Sequence, residues 1–225
     1  MSRAGVLATV VLAGCGAQPD RVCREPLVPA YVSADAFLRL AERAPLPALL
    51  VVNPASGPGS AADRRFGRAI ATAQANGARV LGYVPTQWGA RSRADIARDV
   101  ERYRTWYGID GIFLDEAAGD ADRVEQYRAL AADARAAGAT VLVLNPGVVP
   151  ARAYFDLADI VVTFEGSYTD YLAWRPPAWL RLQRTAHLVY AAPPTSAVDV
   201  PPNAYLTTGT LPHPWGTVTR PRACP

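Results

Sequence analysis

The stretch GIFLDEA, residues 111–117, decides the fold. Gly-Ile-Phe-Leu is an apolar run of strand length, and it ends on two adjacent carboxylates, Asp115 and Glu116. The segment before it, SRADIARDVERYRTWYG (92–108), has apolar residues at helical spacing and stops at Gly108. The segment after it, DRVEQYRALAADARAAG (122–138), repeats that pattern and stops at Gly138. Amphipathic helices closed by a C-terminal glycine look like this. A strand that is apolar throughout, set between two such helices, reads as a parallel strand covered by helices.

Working outward, the same unit recurs. Further apolar runs lie at 27–32, 48–54, 78–86, 140–146, 160–165, 186–191 and 204–209. Helical patterns fill the gaps: SADAFLRLAERA (33–44), AADRRFGRAIATAQANG (61–77), PARAYFDLA (150–158) and a segment within 168–184. Strands alternating with helices predict parallel β/α units. Eight of them close most simply into a single small (β/α)8 TIM barrel, α/β in class. The last unit is expected to be degenerate, because residues 191–203 are short and Pro-rich. An open doubly wound sheet is the alternative.

Polar residues gather at the C-terminal ends of these runs. Asn53 ends the second, Thr86 the third, Asp115 and Glu116 the fourth, Asn145 the fifth and Glu165 the sixth. Tyr31 and Tyr83 lie near the ends of the first and third. Barrel enzymes place their active sites at that end. Carboxylates on two strands suit glycoside hydrolysis, where one protonates the leaving oxygen and the other attacks the sugar or activates water. Asn side chains can hold sugar hydroxyls. Tyr31, Tyr83, Trp88 and Tyr168 can stack on sugar rings, whereas Trp106, inside a helical pattern, is assigned to the core.

The 225 residues are half hydrophobic, enough for one sizeable core. A net charge of +3 with scattered arginines offers no stripe for nucleic acid. With His187, His213 and no CxxC pair there is no evident metal-ligand set, and no cofactor is expected. The N-terminus has Arg3, a short apolar run from Ala4 to Ala13, and then Gly14-Cys15. That run is shorter than the about 20 residues of a membrane span and suits an export signal. Leu12-Ala13-Gly14-Cys15 resembles a bacterial lipobox, which makes residues 1–14 a lipoprotein signal, Cys15 the lipidated residue, 15–25 a tether and 26–225 the catalytic domain. The expected location is the bacterial cell surface, with the lipid as the only membrane contact, or secretion if Cys15 is not lipidated. In an exported chain the remaining Cys23 and Cys224 invite a disulfide across the two ends of the domain, two free thiols being the alternative.

The motifs together resemble the spherulin-4-like family, which is similar to fungal glycosidases that cleave galactosamine-containing exopolysaccharide and to related bacterial polysaccharide hydrolases. The residues that carry the resemblance are PAYV (29–32), VVNPASGPG (51–59), VLGYVPT (80–86), YRTWYGIDGIFLDE (103–116), VLNPG (143–147) and DIVVTFEGSY (159–168). The resemblance spans roughly 26–209. It implies a secreted or surface (β/α)8 hydrolase with Asp115, Glu116 and Glu165 as catalytic carboxylates and Asn145 in support. VVNPASG alone also resembles the opening of lipid-kinase domains, but the chain lacks their GGDG-type motif, and Pro54, Gly57, Pro58 and Gly59 read as a tight turn.

Successive strand residues face opposite ways. If Gly111, Phe113 and Asp115 share the interior phase, Glu116 begins the loop. That assigns Asp115 as nucleophile, Glu165 as general acid/base and Glu116 as a neighbour that binds substrate or tunes their pKa values. The expected protein is an exported, monomeric, endo-acting glycoside hydrolase of retaining mechanism, with a polysaccharide substrate. Two other readings use the same residues. One is a non-catalytic carbohydrate-binding lipoprotein, and the other is a small-molecule barrel enzyme with a closed pocket.

Overall fold

Each of the eight apolar runs forms a strand in the computed structural model, which describes residues 27–43, 45–194 and 200–218. The strands are β1 (Leu27–Ala30), β2 (Leu49–Val52), β3 (Arg79–Pro85), β4 (Gly111–Asp115), β5 (Val141–Leu144), β6 (Ile160–Ser167), β7 (Thr185–Tyr190) and β8 (Tyr205–Leu206). All neighbours pair in parallel, in sequence order, as one eight-stranded sheet. The sheet curls into a nearly closed (β/α)8 barrel. Its seam is bridged by the segment after β8, where the Trp215 carbonyl accepts the Tyr31 N–H at 3.2 Å. The signal, the tether, Cys15, Cys23 and Cys224 lie outside the described residues.

Four helices follow their strands as expected: α1 (Ala34–Ala41), α2 (Arg64–Ala75), α3 (Arg93–Tyr107) and α4 (Val124–Ala136). Ser33, Asp63 and Ser92 cap the first three by accepting N–H bonds from Ala36, Arg65 and Asp95. Gly108 closes α3 at φ 59, a left-handed conformation that costs glycine nothing. The fifth unit departs from expectation. PARAYFDLA yields only a 3-10 turn, Arg152–Asp156. The Asn145-Pro146-Gly147 turn and Pro150 consume the chain before it, and too little remains for an α-helix. In the sixth unit α5 (Tyr168–Ala173) is a short helix, followed by a 3-10 turn at Leu182–Arg184. There α5, β7 and β8 pack on a separate small cluster that includes Phe164, Tyr171, Val189 and Leu206.

The strands are buried almost end to end, the state their unbroken apolar runs demand. Register pairs Tyr83 with Phe113 and Pro85 with Asp115. The rings of Tyr31, Tyr83 and Phe113 then form a chain, with centroids 5.4 and 6.5 Å apart. Phe113 and Asp115, two residues apart, lie on one face of β4. Gly111 opens that strand because a Cβ there would run into the Val141 carbonyl of β5. Gly111→Ala is expected to lower stability by about 1–3 kcal/mol through forced overpacking of a backbone that cannot step aside. Thermal unfolding by circular dichroism checks this, with a midpoint fall of roughly 3–10 °C expected.

Candidate active site

The VLNPG turn builds the centre of the site. Asn145 ends β5, and its Oδ1 accepts the Gly147 N–H at 3.0 Å. That bond fixes which end of the amide is which, so Nδ2 must face the other way. Nδ2 donates to Asp115 Oδ1 and to Glu165 Oε2, at 2.6 Å each. One –NH2 group thus uses its two hydrogens on two carboxylates from the strands either side. At the trigonal angle of an amide nitrogen, two such bonds place those oxygens about 4.5 Å apart. Glu165 gains a second donor on Oε1, the Trp215 indole N–H at 3.3 Å.

The two acids sit in different fields. Glu165 is enclosed by the protein laterally yet keeps its face toward solvent, as a group on the floor of an open mouth does. That enclosure first, and the Asp115 charge second, push its pKa up to about 7. Asp115 is also raised by burial, but hydrogen bonds from Tyr83, the backbone and Asn145 oppose the rise by favouring the ionised form. Tyr31 and Tyr83 are both held well above the ordinary tyrosine range by burial first and the Asp115 charge next. Both stay neutral beside the carboxylates, and Tyr83 donates to Asp115.

Glu116 lies one residue past β4, at φ 51. A left-handed glutamate is uncommon and is kept only where its surroundings fix it. Here its carbonyl accepts the Trp88 N–H at 2.6 Å and the Thr86 hydroxyl at 2.7 Å. Gln87 and Trp88 are also at positive φ, so the tips of β3 and β4 are strained together. The result leaves Trp88 64% exposed beside the Glu116 backbone.

Other predicted residues take different places. Thr86 does not face the mouth. It is fully buried, and its hydroxyl bonds to the Asp115 and Glu116 carbonyls and to Tyr127, clamping the end of β3 to that of β4. Asn53 spends its Oδ1 on the Gly57 N–H at 2.9 Å and so shapes its own turn. That turn is pinned by the Tyr107 hydroxyl, which donates to the Pro58 carbonyl at 3.0 Å and accepts the Asp63 N–H. Tyr168 opens α5, half-buried against the small cluster. His187 is a core histidine between Tyr171 and Thr163, held neutral by burial with its pKa lowered to about 4. Trp215 joins the site without a motif to mark it. A lone tryptophan in a Pro-rich tail, PHPWG, is the only sign the sequence carries.

A carboxylate pair at the C-terminal mouth of a (β/α)8 barrel, bridged by a strand-end Asn, defines the class. The chain belongs to the family described as Spherulation-specific family 4, which it matches over residues 27–207. Spherulin-4 of Physarum polycephalum is 31% identical over 158 residues, 66% of this chain and 48% of that one. The chain therefore spans about half the length of the curated relative it matches. Among solved structures, Aspergillus clavatus Sph3 in complex with GalNAc superposes with TM-score 0.71 at 23% identity, covering 84% of this chain and 90% of that one. At that identity the likeness establishes the barrel fold. A GH18 chitinase from Pseudoalteromonas aurantia is more distant, at TM-score 0.48 and 12% identity over 74% of this chain and 80% of that one.

Proposed function

We propose that the protein is an exported glycoside hydrolase that cleaves a hexosamine-containing polysaccharide by a retaining, two-carboxylate mechanism. The observation that carries the reading is the Asn145 amide held between Asp115 and Glu165 at 2.6 Å each. The resulting spacing lies near the roughly 5–5.5 Å of retaining enzymes and short of the 6.5–9.5 Å that leaves room for an inverting water. Glu165, at about 7, can hold a proton near neutrality and give it to the leaving oxygen. Asp115, whose burial raises its pKa while three kinds of donor oppose the rise, attacks the anomeric carbon as the carboxylate. Glu165 then takes a proton from water as that water releases the sugar. Exposed Trp88 supplies a stacking face at the rim, and Tyr31 and Tyr83 supply hydroxyls at the floor. The solvent-facing Glu165 fits a polymer groove better than a sealed small-molecule pocket. The hexosamine assignment leans on the GalNAc bound to the Sph3 relative.

The test is a panel of purified polymers, galactosamine-containing and neutral, scored for new reducing ends. Release from a hexosamine polymer is expected, with mid-chain cuts giving short oligosaccharides. A folded protein that binds a polymer and releases nothing from any of them would show a binding module built on the same cleft.

A further inference from the structure

We infer that the barrel carries a second ligand site at the opposite end from its mouth, a pocket that takes an acidic sugar ring through its carboxylate. A cavity of about 230 Å³ is lined by Arg152 and Phe155 from the turn before β6, and by Trp179, Arg181 and Arg184 from the segment before β7. Arg184 immediately precedes β7, and it donates to the Ala158 carbonyl at 2.6 Å, two residues before β6 begins. The pocket therefore opens at the N-terminal ends of these strands. Glu165 is five strand positions further on, roughly 15–20 Å away.

Three arginines line this cavity, and among the described residues none of them lies within ion-pair distance of a carboxylate. Asp159 is bonded to Arg135 at 2.5 Å and also feels the Arg184 charge at longer range. Arg152 and Arg181 are left as neighbouring cations that an anion would complete. The arginines are also prepared for one. The Arg152 guanidinium lies over the Trp179 ring, 4.7 Å from its centroid, and Phe155 meets that ring edge-on at 5.8 Å. A guanidinium held over a ring can still offer N–H groups for a two-pronged bond to a carboxylate. Arg184 is anchored by its bond to Ala158, and Arg181 is exposed at the rim.

The shape selects the ligand. The volume is below the roughly 300–1,000 Å³ of clefts for drug-sized ligands, so it admits one ring of a chain. A lipid surface would call for apolar side chains beside the cations to enter the bilayer. Among the described residues the large hydrophobics that stand exposed are Trp88, Val148, Leu172, Val200 and Leu211, and none of them lines this pocket, whose Phe155 and Trp179 are half-buried and whose Leu180 is buried. A uronate of an acidic polysaccharide meets both requirements, a planar carboxylate for the arginines and a ring with an apolar face for Phe155 and Trp179. This site does not rest on hydrolysis at the mouth, and it would hold whether or not the mouth is catalytic.

Calorimetric titration of the full domain with short oligogalacturonates tests it, and the same oligomers as methyl esters keep the rings and remove the charge. Binding of the acid form is expected, at least about tenfold tighter than the ester and weakening with salt. The double variant R152A/R181A, with an unchanged melting midpoint, is expected to lose that binding by about tenfold or more, while a mouth variant, Glu165→Gln, keeps it. Equal binding by wild type and R152A/R181A would overturn the site. Inorganic phosphate binding as tightly as the oligomer, or Arg152-dependent capture by phosphatidylglycerol vesicles, would overturn the assignment to an acidic sugar.

Discussion

Replacing Asp115 by Asn is expected to cut turnover on the polymer by at least about 10⁴-fold, some 5 kcal/mol of transition-state stabilisation, while the protein stays folded and still binds glycan. The geometry explains why the loss is chemical and not structural. An Asn at this position can turn its Oδ1 toward Asn145 and keep the 2.6 Å bond, and Tyr83 and Phe113 still pack beneath it. What disappears is the anion that would bond to the anomeric carbon. An Asp115→Ala variant adds a second readout, because added azide can occupy the vacated space and attack in its place. A recovered rate with a glycosyl azide of inverted anomeric configuration would identify Asp115 as the nucleophile, whereas a retained azide would mark it as the acid/base. If Asp115→Asn instead keeps a tenth of wild-type turnover, the nucleophile is elsewhere, and Glu116 is the residue to try next. Glu116→Gln is expected to cost far less, since Glu116 lies past the strand and its carbonyl, not its carboxylate, is tied to Thr86 and Trp88.

Much of the fold is legible in the sequence, and the reasons are physical. The eight strands were legible because strands covered on one side by helices and filled on the other with side chains are apolar at every position, and GIFLDEA is the clearest case. The strand-end positions of Asp115 and Glu165 are legible because an apolar run leads straight into each. Their bridge was not. It depends on the register of three strands and on the Gly147 N–H that turns the Asn145 amide, and neither is encoded in local spacing. Thr86 illustrates the opposite error. A polar residue at a strand tip pointed to the mouth, but its hydroxyl was worth more as a clamp on two carbonyls of the next strand. Trp215 escaped notice because it reaches Glu165 from 50 residues away through a tail with no periodic pattern. The fifth helix failed for local reasons, because its apolar spacing was right but Pro and Gly left it no length.

Glu165→Gln should separate catalysis from stability most sharply. Turnover on the polymer is expected to fall by about 10²–10⁴-fold, the usual contribution of a general acid. The loss should shrink on an aryl glycoside whose leaving group needs no proton, a contrast that a merely structural role would not produce. Wild-type activity should fall as pH rises through about 7, when Glu165 gives up its proton, and fall again on the acid side as Asp115 gains one. The alkaline limb should vanish in the variant. Stability runs the other way. Folding raises the Glu165 pKa from 4.5 to about 7, so its contribution is full below the lower value and drains away as pH rises through the upper one. Gln is neutral like the protonated acid and does not titrate, and its one acceptor oxygen can serve Asn145 while the Trp215 N–H is left to solvent. The variant is therefore expected to lose less of its thermal stability than wild type between about pH 5 and pH 8. Because Glu165 faces solvent, that difference should be modest, but its sign is fixed: a carboxylate poised for proton transfer at neutral pH is one the folded chain holds at a cost. A variant that lost more stability than wild type across that range would mean the Glu165 anion is wanted by the fold, and the general acid would have to be sought elsewhere.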